Sequence, residues 1–277
     1  MSTAPDGGWV PSGMLPTLPA TVPGQMPAQP PAPPYGCPPD SLRVSAPMPP
    51  PARQVADLVV VVAAGGGAGR STAADLLARE LCPDGALMLI DEAPGLFSQR
   101  RLLPRGHDGL ARLDDRGAAY WVLAPDAPMH RIDAVTAVAE YEAWRTVIVD
   151  TWDPALYLLH NPRWHRLLTE YGVRVLLVAN SATGPLEHAL TAARALRQAG
   201  VAGVDLVAAV VDTGEGRVPR RTLARITALE GECAAVTRVP FLPPVRTHGR
   251  LAPGQGGRAA QRAAIAIADS LALKEAA

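Results

Sequence analysis

Leu58-Val59-Val60-Val61-Val62-Ala63-Ala64-Gly65-Gly66-Gly67-Ala68-Gly69-Arg70-Ser71-Thr72 is the stretch on which the rest of the chain turns. Its first six residues are apolar and mostly β-branched, with no polar alternation, the pattern of a strand buried on both faces of a parallel sheet. A helix is predicted to follow over about 71–81, with Leu77 and Leu81 one turn apart and Pro83 ending it. Between them lie the glycines. They let successive backbone N–H groups turn toward an anion without a Cβ clash, and the helix N-terminus adds its partial positive charge. Strand, glycine loop and helix in that order read as a phosphate-binding turn, although such turns also occur in sheets that hold no nucleotide.

Outward from this segment the chain alternates in type. Strands are expected at Ala86–Ile90 ending on Asp91, Tyr120–Leu123, Thr146–Val149 ending on Asp150, Val173–Val178, Asp205–Val211 and Ala235–Val239. Helices are expected near 130–143, 162–171, 186–199, 218–230 and 257–273. Repeated strand and helix imply right-handed crossovers and an α/β fold: a doubly wound, mostly parallel sheet with helices on both faces. Ligands of such sheets bind beyond the carboxyl ends of the strands, where Asp91 and Asp150 fall.

Composition divides the chain in two. Of 29 prolines in 277 residues, 16 lie within the first 51. That segment has almost no charge and no apolar period, so residues 1–55 are expected to form a disordered proline-rich tail before one α/β domain over 56–277. The tail would populate polyproline II and serve as a spacer or dock into an aromatic groove of an unknown protein partner. Lys and Arg balance Asp and Glu at 26 each, but unevenly: 15 basic and 20 acidic residues in 52–216, 10 and 4 in 217–277. Arg217, Arg220, Arg221, Arg225, Arg246, His248, Arg250, Arg258 and Arg262 make the C-terminal part basic, which suits either a solvated face or sequence-neutral DNA contact. Cys37, Cys82 and Cys233 lie far apart, without disulfide or zinc spacing, and His160 and His165 miss the helical metal register. No apolar run spans a membrane and no secretory leader opens the sequence, so a cytoplasmic location is expected.

Four positions carry the chemistry. Ser71 stands where a phosphate loop places the hydroxyl that ligates magnesium, and Arg70 where it places a lysine. Asp150 directly follows the strand residues Thr146–Val149 and faces the loop in this topology; the alternative is a helix N-cap. Asp91 closes a neighbouring strand about 20 residues after the loop, which also suits a ribose-binding acid, but Ser71-Thr72 and Asp150 fit phosphate and metal better.

Loop, Leu-Ile-Asp91, Val-Ile-Val-Asp150-Thr151 and Val-Pro240-Phe-Leu-Pro243 together resemble the ParA/MinD-type deviant-Walker-A P-loop ATPases, over roughly Ala56 to Leu273. The resemblance implies a protein that dimerises on ATP to position plasmids, chromosomes, division sites or secretion cargo. It implies ATP on Gly66, Gly67, Ala68, Gly69, Arg70, Ser71 and Thr72, with Asp212, Pro240 and Phe241 beside the base. It implies Mg²⁺ on Ser71, Asp91 and Asp150, with Arg70, Asp91 and Asp150 as the residues of hydrolysis. Three departures stand out. The family's first loop lysine, which reaches the partner's nucleotide, falls on Gly65; its second falls on Arg70, a planar fork in place of a compact ammonium. The second acidic position after the Asp91 strand is Ala93. Because phosphoryl transfer depends on positioning and charge stabilisation, these losses should reduce turnover far more than binding. Two functions therefore stand side by side: a nucleotide-binding, homodimerising switch with weak or absent ATPase activity, and a pseudo-ATPase scaffold that recruits partners through its tail without nucleotide.

Overall fold

A computed structural model describes residues 57–82, 86–93, 98–106, 110–115, 118–124, 144–170, 172–202, 205–214, 216, 218–248, 251 and 255–273. Among them one sheet is built from β1 (Asp57–Ala63), β2 (Leu87–Asp91), β3 (Ala111–Asp115), β4 (Ala118–Leu123), β5 (Thr146–Asp150), β6 (Arg174–Asn180), β7 (Leu206–Val211) and β8 (Ala235–Val239). Their spatial order is β3-β4-β2-β5-β1-β6-β7-β8. β3 runs antiparallel to β4, and every other neighbouring pair is parallel. The helices are α1 (Arg70–Glu80), α2 (Ala155–His160), α3 (Pro162–Glu170), α4 (Thr183–Gln198), α5 (Arg220–Glu230), α6 (Pro243–His248) and α7 (Gly257–Ser270).

The uninterrupted apolar strands are explained by two cores, one on each face. Leu58, Val60, Val62, Val147, Val149, Val175 and Leu177 point to the face covered by α4, through Leu186, Ala189, Ala193 and Leu196. Val59, Val61, Leu87, Leu89, Ile148, Leu176 and Val178 point to the other face, against Leu76 and Leu77 of α1 and Ala264 and Ile267 of α7. Each of the large aliphatic side chains buried this way contributes about 1.5–3 kcal/mol relative to exposure. The alanine-rich α7 packs on α1 and β8, as its small side chains allow.

Where structure and expectation differ, the cause is local. β3 reads Ala-Arg-Leu-Asp-Asp, with Arg112 and Asp114 exposed, so its strand character comes from pairing with β4 and not from composition. α4 starts at Thr183, ahead of the expected 186, because Pro185 falls in the first turn, where no N–H is required. β6 continues past Val178 to Asn180. The helix expected near 130–143, like the tail, lies outside the described residues. No helix among the described residues is long and apolar enough to cross a membrane.

The topology gathers the acidic strand ends. From β1 the chain goes to β2 and β4, returns to β5 between β2 and β1, then crosses to β6 on β1's far side. The strand order thus reverses around β1, which opens a crevice at its carboxyl end. Asp91 and Asp150 are register partners across β2 and β5, and Asp150 is the partner of Val61 in β1.

Candidate functional site

The glycine loop rises directly from β1 into α1. Gly69 is the N-cap of α1 with φ +86°, and a Cβ there would lie 2.9 Å from Cγ2 of Val211. Glycine at 69 therefore satisfies both a left-handed backbone and a close approach to β7. At Gly65 and Gly66 an added Cβ would meet nothing within 4 Å. That openness is a cavity of about 560 Å³ lined by Gly65–Thr72 with Trp152, Pro154 and Val245. A second cavity of about 270 Å³ continues from Gly67, Ala68, Gly69 and Thr72 to Asn180, Asp212, Pro240 and Phe241. Asp212 accepts a hydrogen bond from the Gly214 amide at 2.9 Å. Gly214 itself, at φ +75°, leaves room for the Phe241 ring, which a Cβ would approach to 2.7 Å. The structure thus brings Gly66, Gly67, Ala68, Gly69, Arg70, Ser71 and Thr72 to one cavity, and Asp212, Pro240 and Phe241 to the adjoining one.

The carboxylates meet an arrangement that differs from the expected metal site. Arg100, 3% exposed and placed by a 3-10 turn at Gln99–Leu102, enters the space between β2, β5 and α1. Its Nη1 lies 2.6 Å from Asp150 Oδ2 and 3.1 Å from Asp91 Oδ2. Its Nε and Nη2 donate to Asp75 Oδ1 at 3.0 and 2.9 Å, and Nη2 also donates to the Ser71 carbonyl at 2.9 Å. Arg70 donates from Nε to the other oxygen of Asp150 at 3.0 Å, and from Nη1 to the Trp152 carbonyl at 3.0 Å. Asp91 accepts further bonds from the Ala93 amide at 2.9 Å and Ser98 Oγ at 2.7 Å. Burial alone would push the Arg100 guanidinium down, but the charges of Asp75, Asp150 and Asp91 outweigh it and hold the group above the ordinary arginine value.

These bonds decide the fit of a metal. Every oxygen of Asp91 and Asp150 accepts a hydrogen bond or ion pair from the chain itself. Mg²⁺ demands a near-octahedral shell of oxygen ligands at roughly 2.0–2.1 Å and keeps several waters. Among the described residues no group of three His, Cys, Asp or Glu side chains is placed to hold a metal ion. The donor set as arranged does not fit Mg²⁺. The backbone of Gly65–Thr72, in contrast, lines open space at the start of α1.

Four participants escaped the sequence reading: Arg100, Asp75, Asn180 and Trp152. Asn180 closes an apolar strand just as Asp91 and Asp150 do, and its Oδ1 accepts the Ala182 amide at 3.1 Å. Arg100 had an indirect signal. Acidic residues ending buried strands require a cation, and in a chain with a single lysine that cation is an arginine. Of the basic C-terminal residues, Arg225 pairs with Glu187 at 2.8 Å, Arg246 lines the smaller cavity, and Arg217 and Arg250 lie outside the described residues.

With this geometry in view, similarity to solved structures is informative. The chain resembles the cell division ATPase MinD of Pyrococcus furiosus at 14% identity and a TM-score of 0.53, over 78% of this chain and 98% of that one. It resembles a chain of the MinC:MinD cell division protein complex of Aquifex aeolicus at 14% identity and a TM-score of 0.50, over 79% and 95%. It also resembles McdA of Cyanothece in complex with ATP, at 14% identity and a TM-score of 0.50, over 80% and 99%. No protein-family model matches the sequence, and no curated protein matches it. At these identities the likeness is one of fold: the described domain has the fold of the ParA/MinD-type P-loop ATPases.

Proposed function

We propose that the chain binds ATP on its glycine loop with weak or absent hydrolysis, and works as a dimerising switch that positions or regulates cargo such as a plasmid, chromosome or secretion complex. The observation that carries this is the pair of adjoining cavities that share Gly67, Ala68, Gly69 and Thr72. One matches a phosphate chain lying on backbone N–H groups at the start of α1. The other, with Pro240 and Phe241 on its wall, matches a purine base. The three similar structures are described as a cell division ATPase, a cell division complex and an ATP complex, which agrees with this reading.

The residues of this chain have distinct parts in it. The loop amides and the Ser71 and Thr72 hydroxyls bind and orient phosphate. Arg70 lines the larger cavity while bonded to Asp150 and the Trp152 carbonyl, so an arriving phosphate competes for its guanidinium and is felt by the segment after β5. That segment carries apolar surface for a second copy: Trp152 beside the cavity, then Leu156 and Tyr157 on α2, the last 72% exposed. Slow turnover follows from Gly65, which offers no cation across a dimer, and from Ala93, which offers only its amide, to Asp91. A cytoplasmic location, a protein partner for the proline-rich tail and DNA contact through exposed Arg220, Arg221, Arg258 and Arg262 belong to the same proposal.

The scaffold reading is favoured by a different observation, the internal pairing of Asp91 and Asp150 with Arg100. Calorimetric titration with ATP separates the two. The switch reading expects saturable heat in the wild type and a loss of affinity of at least about tenfold in Gly66→Leu, at a position where an added Cβ meets nothing within 4 Å. No heat in the wild type leaves the scaffold.

A further inference from the structure

We propose that the guanidinium of Arg100 is a built-in cation standing where a divalent metal would sit, so that the glycine loop takes a nucleoside polyphosphate in its metal-free form. The ligand half of this inference rests on the nucleotide reading above; the cation half does not.

Three carboxylates from three elements converge on one side chain: Asp75 from α1, Asp91 from the end of β2 and Asp150 from the end of β5. The same guanidinium reaches the backbone carbonyl of Ser71, the residue whose hydroxyl a phosphate loop gives to magnesium. Arg100 therefore occupies both carboxylates from which a metal would be held, Asp91 and Asp150, and is bonded to the backbone of the residue that would supply the third ligand. Its bonds are short and its side chain is 3% exposed, so no solvated ion shares the space. The surrounding groups are fixed as well. Asp91 is held by Ser98 and the Ala93 amide, and Asp150 by Arg70.

The chemical consequence is specific. A tethered guanidinium keeps its charge at any pH the fold survives and does not exchange with solution, unlike a metal. It directs N–H groups along fixed lines toward carboxylates and has no vacant coordination position for a phosphate oxygen. The two carboxylates that would recruit Mg²⁺ beside the phosphates, Asp91 and Asp150, are each already paired with a guanidinium. Phosphate affinity then comes from the loop amides, the Ser71 and Thr72 hydroxyls and Arg70, and a chelator leaves it unchanged.

The test has two arms on the full chain. In the first, ATP is titrated in EDTA and in excess Mg²⁺. Dissociation constants that agree within a factor of about two support the inference, and a gain of about tenfold or more in Mg²⁺ overturns it. Absence of binding in both buffers defeats the nucleotide reading, and the second arm then decides the cation. In that arm Mn²⁺ is titrated into nucleotide-free protein and followed by electron paramagnetic resonance. The wild type should show no bound Mn²⁺ that disappears in Asp150→Asn. Arg100→Met should gain one Mn²⁺ that is lost again in Arg100→Met/Asp150→Asn. An Asp150-dependent Mn²⁺ in the wild type, or no gain in Arg100→Met, overturns the inference. If Arg100→Met does not fold, Arg100→Met/Asp75→Asn removes a buried anion together with the cation and is read in the same way.

Discussion

Arg100 shows how one residue determines what a carboxylate cluster is for. Asp75, Asp91 and Asp150 are each under a tenth exposed, and a buried carboxylate without a partner is strongly destabilising. Loss of one member of a buried ion pair costs about 3–5 kcal/mol, because the remaining charge is left without compensation. Arg100→Met should therefore lower the metal-free melting temperature by roughly 6–20 °C, at the roughly 2–4 °C per kcal/mol typical of a domain this size. Circular dichroism melts measure it, and a drop under about 2 °C would show that the network carries no such weight. This residue was also the least legible in the sequence. Arg100 sits in a polar run with Gln99 and Arg101, with no periodicity or motif to mark it, and the turn that delivers it is defined only by tertiary contact.

At the scale of elements, the glycine loop combines two kinds of glycine. Gly69 is required by the fold, since it has φ +86° and Val211 lies against the place a Cβ would take. Gly66 is not, because space is open around it. Gly69→Ala should destabilise the domain by roughly 1–3 kcal/mol, the usual cost of a left-handed non-glycine residue, whereas Gly66→Ala should stay within about 0.5 kcal/mol of wild type. Urea unfolding of the two variants tests the contrast; equal losses would mean that the loop is not anchored to β7 as described. The same division explains what the sequence made readable. Strands buried on both faces announce themselves, as Val59–Val62 does, because nothing polar is tolerated there. β3 does not, because its polar residues are stabilised only by a neighbour, and α2 and α6, six residues each, are too short to show a period. The loop, Asp91 and Asp150 were placed correctly by position in the β/α order. What their carboxylates bind was not readable, since that depends on a side chain 50 residues from Asp150.

For the whole molecule, the parallel sheet does the gathering. Its order reversal around β1 brings residues from positions 65 to 246 into two adjoining cavities, a spread that no local motif encodes. The fold is shared with the cell division ATPase MinD, while the interior of the site is arranged around a fixed guanidinium. On the proposed reading such a protein reports nucleotide through occupancy more than through turnover, with Arg70 linking the larger cavity to the segment that carries exposed Trp152, Leu156 and Tyr157. The most direct measurement is a crystal structure grown with ATP and Mn²⁺, with data collected at the manganese absorption edge. The account predicts phosphate density on the backbone of Gly65–Thr72, Arg100 still bridging Asp91 and Asp150, and no anomalous peak between them. A manganese peak bridging Ser71 and Asp150, with Arg100 displaced, would contradict it.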